Sequence, residues 1–102
     1  MSYMFANINQ AAMNQMFLDF NTSSVTDMSY MFYNSKNFTN NNRPLNFITN
    51  NVINMDYMFA GINSNNITQF NQNISSWIVT QNPSHINFNV TSLLTLIPNF
   101  PS

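Results

Sequence analysis

The sequence contains no cysteine, a single glycine, and only five charged residues (two basic and three acidic) among 102. The absence of cysteine excludes disulfides, thiolate metal sites and cysteine nucleophiles. Two basic residues cannot form the positive patch that nucleic acids or anionic membranes require. No apolar run approaches the roughly 18 residues of a membrane-spanning helix. The N-terminus also lacks the regions of a signal peptide. We therefore expect no nucleic-acid partner, no transmembrane segment, and neither a signal peptide nor a lipobox in this chain.

Asparagine fills most of the polar positions, and such a bias is common in disordered, aggregation-prone segments. Hydrophobic residues nevertheless make up 44% of the chain and include ten phenylalanines and eight methionines. A disordered segment would carry few such residues, because it has no interior in which to bury them. The composition therefore predicts a packed domain with a neutral, amide-rich surface.

A pentapeptide recurs along the chain at 1–5, 28–32 and 55–59, with the same spacing from the first copy to the second as from the second to the third. A motif at such a fixed period indicates a repeat protein in which each repeat is one structural unit. Its two methionines and its phenylalanine, at positions i, i+3 and i+4, would share one face of a helical turn. Asp27 and Asn54 directly precede two of these motifs, where a helix N-cap would lie.

Short apolar segments at 17–20, 45–47 and 74–77 are bounded by asparagine or proline, which is typical of short strands. One strand and one helical turn per repeat predict an α/β fold, a leucine-rich-repeat-like right-handed solenoid of short parallel strands and short helical turns. We expect about three repeats over residues 1–85 and an irregular C-terminal cap over 86–102. The first repeat has no N-terminal cap, so self-association through it is a further expectation.

No catalytic constellation is present, and we expect neither enzyme activity nor a cofactor nor a metal site. His85 is the only histidine, and no cysteine or neighbouring carboxylate accompanies it. The methionine pairs of the pentapeptide have thioethers that can bind Cu(I). Because the pairs recur once per repeat, we interpret these methionines instead as adaptable core residues.

The segments 25–38 and 70–77 together resemble the repeat of the BspA-like leucine-rich-repeat surface proteins, whose asparagine-rich members are abundant in mollicutes. The resemblance implies cell-surface localisation, often through a lipid-anchored N-terminus, with roles in adhesion or host interaction and no enzyme activity. Phe20 and Phe47 stand where that repeat usually has tryptophan.

The hypothesis that follows is a non-catalytic cell-surface module that binds a protein or a glycan on a host or neighbouring cell. The residues proposed for binding are Gln72, Asn73, Ser75 and Ser76. The alternative is a truncated structural remnant of a repeat protein with no binding activity of its own. A serial surface of weak polar contacts would gain strength from repetition.

Overall fold

The structure is a computed structural model that describes residues 21–35, 38–64 and 66–100. Within those ranges, regular secondary structure is limited to one 3-10 helix, Asn40–Asn42, and three isolated parallel β-bridges, Asp27–Asn54, Asn54–Ser84 and Thr68–Ser92. The first pentapeptide, the predicted strand at 17–20 and the expected N-terminal self-association face lie outside the described residues.

The predicted α/β solenoid of parallel strands and helical turns is wrong. The third residue of the pentapeptide is left-handed, with φ of 57° at both Tyr30 and Tyr57. An α-helix requires right-handed backbone at every residue, so a left-handed residue at this position prevents one. The i, i+3, i+4 spacing of the apolar residues arises instead from a series of overlapping tight turns.

These turns join neighbouring repeats through alternate peptide groups. Every second N–H in 28–34 donates to a carbonyl of the next repeat, at 2.7–2.9 Å and always with the same offset along the chain. The N–H groups of Met31, Tyr33 and Ser35, each one residue after such a donor, donate to carbonyls three residues back, within their own turns. The donors to the next repeat are Met28, Tyr30, Phe32 and Asn34, and their acceptors are Asn54, Asp56, Met58 and Ala60.

The same pattern connects the third pentapeptide to the segment that follows it, but the offset between donor and acceptor is longer there. The donors are Met55, Tyr57, Phe59 and Gly61, and the acceptors are Ser84, Ile86, Phe88 and Val90. The additional residues lie outside the hydrogen-bonded turns. The hydrogen-bond register between repeats therefore stays the same although the repeat length changes.

The predicted strand at 45–47 is part of an extended segment, but it does not pair as a strand. The predicted strand at 74–77 is wrong, because these residues form a tight turn in which the Trp77 N–H donates to the Ile74 carbonyl at 3.1 Å. Residues 44–50 alternate between exposed and buried side chains, as an extended segment on a core does. Side chains make the bonds that hold this segment to 77–79. The Thr49 hydroxyl donates to the Ile78 carbonyl at 2.6 Å, and the Trp77 indole N–H donates to the Leu45 carbonyl at 2.8 Å.

Aromatic rings stacked from repeat to repeat form the centre of the core. The Phe32 ring lies parallel to those of Phe38 and Phe59, with centroids 4.6 and 5.2 Å apart. Phe70 continues the stack, 5.2 Å from Phe59. The described methionines of the pentapeptide are fully buried beside these rings, which confirms their interpretation as core residues: Met28, Met31, Met55 and Met58.

The two residues predicted as helix N-caps have a related but different role. Oδ1 of Asp27 accepts the N–H of Ser29 at 2.9 Å, and Oδ1 of Asn54 accepts the N–H of Asp56 at 3.0 Å. Bonding two residues onward is the geometry of an Asx turn. The side chains thus stabilise the entry into the tight turns, and no helix follows them.

Asparagine supplies much of the left-handed backbone that these turns need. Nine described residues other than glycine have positive φ, and six of them are asparagine: Asn34, Asn40, Asn41, Asn42, Asn82 and Asn87. Asparagine tolerates this region better than most residues. Part of the asparagine bias therefore has a conformational cause in a chain with a single glycine.

The C-terminal segment packs onto the last repeat. Leu94 is buried, and the Phe100 ring stacks on the His85 ring with centroids 4.2 Å apart. Phe100 also meets Phe88 edge-on at 5.0 Å. The division of the chain into a repeat region, 1–85, and a cap, 86–102, stays a prediction.

Candidate binding groove

A groove of about 290 Å³ opens between two neighbouring repeats. Pro44–Asn50 forms one wall, and Asn73 with Ser76, Trp77 and Ile78 forms the other. Its volume lies at the lower end of the range for small-molecule sites. It offers room for a ligand of one or two rings or for a short peptide.

The groove exists because the two repeats are held together here by side chains. The rings of Phe47 and Trp77 stack with their centroids 5.7 Å apart. The stacked rings and the side-chain bonds of Thr49 and Trp77 thus take the place of the backbone ladder found at 28–34.

Alternation along the first wall separates its core residues from its groove residues. Leu45, Phe47 and Thr49 are buried, whereas the side chains between them are exposed. Ile48 and its counterpart Ile78 are 46% and 47% exposed. The two isoleucines therefore form an apolar rim beside the amides of the groove.

Several polar groups that line the groove have no partner within the described part of the chain. The side chains of Asn46, Asn50 and Ser76 make no hydrogen bond there. Asn73 uses only its oxygen, which accepts from the backbone N–H and the hydroxyl of Ser75 at 2.9 and 2.6 Å. The Asn73 amide N–H groups, the Asn46 and Asn50 amides and the Ser76 hydroxyl remain available to a ligand.

The groove carries no charge, because its lining residues include no acidic or basic side chain. Arg43, which precedes the first wall along the chain, is not a lining residue and already has a partner of its own. An ionised ligand group would lose its hydration without gaining a counter-charge. The electrostatics therefore favour a neutral ligand.

The structure separates the four residues predicted for binding into two pairs. Asn73 and Ser76 line the groove. Ser75 is bonded to Asn73, and the Gln72 side chain donates to Asn71 Oδ1 at 3.1 Å. Neither Gln72 nor Ser75 lines the groove. Whether any of the four binds a ligand stays a prediction.

The sequence reasoning missed the whole first wall. Asn46, Ile48 and Asn50 alternate with buried residues, and this period of two was the available signal. The predicted strand covers only 45–47, which leaves most of the exposed positions of this wall without a role.

A cluster of half-buried tyrosines forms a second surface feature, but its ring faces are engaged. Tyr30 and Tyr57 stack on each other with centroids 4.9 Å apart, and Tyr33 meets both edge-on at 5.2 and 6.3 Å. Asn87 donates an amide N–H to the Tyr57 hydroxyl at 3.0 Å. These contacts link the repeats, and the groove is the better candidate for a site.

The described ranges contain no metal-binding cluster around the single histidine or elsewhere. His85 Nδ1 lies 3.1 Å from the Pro83 carbonyl oxygen, and no group of three or more histidine, cysteine or acidic side chains in those ranges is arranged to hold a metal ion. None of the helices in that part of the chain has the length and apolar character to cross a membrane.

The hydrogen-bonded register and the groove between repeats define a repeat protein in which neighbouring repeats jointly form the exposed site. The chain belongs to the DUF285 family, described as Mycoplasma protein of unknown function, whose sequence profile matches residues 1–92. No curated protein and no solved structure matches the chain.

Proposed function

We propose that this chain is a non-catalytic interaction module of a cell-surface repeat protein related to the BspA-like proteins, acting in adhesion to a host or neighbouring cell. The observation that carries the proposal is the groove, which combines an apolar rim with uncommitted amides and a hydroxyl between two repeats. Membership of the Mycoplasma family supports the repeat-protein part of the proposal.

The lining of the groove favours binding over catalysis. Its hydroxyl groups belong to Thr49 and Ser76, and no histidine or carboxylate lines the groove to act as their base. The Thr49 hydroxyl is already bonded to the Ile78 carbonyl. These groups can donate and accept hydrogen bonds, and that chemistry is sufficient for recognition.

Binding is tested by labelling the purified chain and measuring its saturable attachment to a panel of cultured host cells by flow cytometry. The groove variant replaces both rim isoleucines, Ile48→Ser and Ile78→Ser. The matched control replaces two isoleucines outside the groove that are at least as exposed, Ile53→Ser and Ile86→Ser, at 59% and 60% exposure.

We expect saturable binding that the groove variant weakens at least tenfold, since two apolar contacts of about 1 kcal/mol each would be lost. The control should bind as the unaltered chain does. Equal losses in the two variants would refute the role of the groove. No saturable binding to any cell would instead favour the structural remnant.

Surface localisation is tested separately with antibody against the chain. Protease treatment of intact source cells should remove the band that the antibody detects in the membrane fraction. A band that remains protected from protease while a cytoplasmic control is also protected would contradict surface display.

A further inference from the structure

We infer that the groove between 44–50 and 73–78 binds a neutral glycan, and that Asn46, Asn50, Asn73 and Ser76 recognise its hydroxyl groups. The inference rests on the proposed function and names the ligand class for the same site.

The first argument is the match between the free groups of the groove and the groups of a sugar. A side-chain amide has a donor and an acceptor side by side and pairs with neighbouring hydroxyls, each of which both donates and accepts. The groove offers the amides of Asn46 and Asn50, the N–H groups of Asn73 and the hydroxyl of Ser76. A carbohydrate ring presents several such hydroxyls within the reach of one small groove.

The second argument concerns the asparagines elsewhere in the chain. Many described asparagines use their side chains to stabilise the fold, bonding a backbone carbonyl or a neighbouring side chain: Asn40, Asn51, Asn66, Asn87 and Asn89. The side chains of Asn46 and Asn50 make no such bond. Asn50 lies in the turn that the Val52 N–H closes onto the Thr49 carbonyl, whereas Asn46 lies in the extended segment before it. The amide of Asn46 is therefore not explained by the needs of the turns, and that of Asn50 stays free beside it.

The third argument is the apolar part of the groove. Pro44, Ile48 and Ile78 present aliphatic surface next to the amides. Sugars combine hydroxyl edges with apolar C–H faces, and a mixed lining of this kind fits both. A purely apolar peptide side chain would leave the four polar groups without partners, and each buried unpaired group opposes binding.

Because the lining residues carry no charge, the groove should prefer neutral glycans to charged ones. Sialylated and sulfated sugars carry negative charges that no lining residue offsets. Neutral sugars bear no such cost. We therefore expect lactose to bind more tightly than sialyllactose, which contains the same disaccharide with an added acid.

Trp77 provides a direct readout, because it is the only tryptophan in the chain and it lines the groove. Neutral oligosaccharides ending in galactose, glucose, mannose or N-acetylhexosamine are titrated into the purified chain while tryptophan emission is recorded. We expect a saturable change with at least one of them. The affinity should be nearly independent of salt concentration, since no ion pair forms.

The variants Asn46→Ala and Asn50→Ala each remove one amide from an exposed position, so the fold should tolerate them. Each should weaken binding roughly two- to tenfold, as expected for the loss of one neutral hydrogen bond. The matched control is Asn99→Ala, which removes an exposed amide outside the groove. It should bind as the unaltered chain does.

Several outcomes would overturn the inference: no neutral oligosaccharide changes the emission, sialyllactose binds more tightly than lactose, or Asn99→Ala weakens binding as much as the groove variants. The cell assay separates this inference from the proposed function on which it rests. If enzymatic removal of cell-surface glycans abolishes attachment, the glycan inference is supported. If attachment persists on deglycosylated cells, the module still binds cells and the glycan inference is wrong.

Discussion

The substitution Gly61→Ala tests the packing of the third repeat against the C-terminal segment. A methyl group at this position would lie closer than 3.0 Å to the carbonyl oxygens of Thr91 and Asn66. Both atoms belong to the backbone, so no side-chain rotation can relieve the contact. Real methyl groups essentially never approach another atom so closely, and two backbone segments would therefore have to move apart.

The expected loss of stability follows from the hydrogen bonds around Gly61. Gly61 N–H donates to the Val90 carbonyl at 2.9 Å, and Thr68 bonds to residues on either side of Ser92 at 3.3 and 3.0 Å. Separation of the segments weakens these three bonds, each of which contributes about 1 kcal/mol. Overpacking typically costs about 1–3 kcal/mol. We expect a loss of about 3 kcal/mol, which lowers the Tm of a domain of this size by about 12–24 °C.

The direction of the change in Tm shows whether Gly61 is crowded. Gly61 does not have a positive φ, so alanine is compatible with its backbone conformation. At such a position without crowding, Gly→Ala stabilises a protein by about 0.4–1 kcal/mol, because it restricts the unfolded chain. Thermal unfolding followed by circular dichroism measures the change. An unchanged or raised Tm would refute the close approach of these three segments.

Three other substitutions test the core, the side-chain links and the left-handed turns, all by denaturant unfolding. Phe32→Ala should cost about 3–5 kcal/mol because the ring is fully buried; an unaltered midpoint would contradict that. Thr49→Val removes the hydroxyl that bonds Ile78 and should cost about 1–2 kcal/mol, whereas Thr49→Ser should recover much of the loss. At Asn82, with φ of 52°, glycine should be more stable than alanine by about 1 kcal/mol; the opposite order would argue against a left-handed turn.

The sequence correctly predicted the repeats and their core residues, but the helical conformation predicted for the pentapeptide was wrong. The recurring pentapeptide correctly indicated repeats, and it correctly placed Met28, Met31 and Phe32 in the core. It suggested a helix because residues at i, i+3 and i+4 also share a side in a chain of tight turns. The deciding feature was the left-handed backbone at Tyr30 and Tyr57. Tyrosine seldom adopts that conformation, so no propensity argument would place it there.

The strand expectation failed for a different reason. The segment at 45–47 has the alternation of a strand, and it is extended. Whether an extended segment forms a ladder depends on how closely its neighbour approaches. At this place stacked rings of Phe47 and Trp77 and the bond from the Thr49 hydroxyl to the Ile78 carbonyl join the two segments in place of a ladder. Contacts between residues of different repeats are not visible in a local pattern.

Two of the four residues predicted for binding line the groove, and the local turn explains why the other two do not. Asn73 and Ser76 were predicted, together with Gln72 and Ser75, as outward residues of the stacked strands and loops. Which of them faces the neighbouring repeat depends on the turn that Asn73 makes with Ser75. The opposite wall, with Asn46 and Asn50, could be found only from its alternation with buried residues.

The constant register between repeats of unequal length has a genetic consequence. Met28 bonds to Asn54 and Met55 to Ser84, so the second offset is the longer one, yet the ladder of bonds is the same. A gene for such a chain can gain or lose codons between Gly61 and Thr68, or duplicate a whole repeat, without removing a donor or acceptor of that ladder. The number of repeats can therefore change while the hydrogen bonds that join neighbouring repeats stay the same.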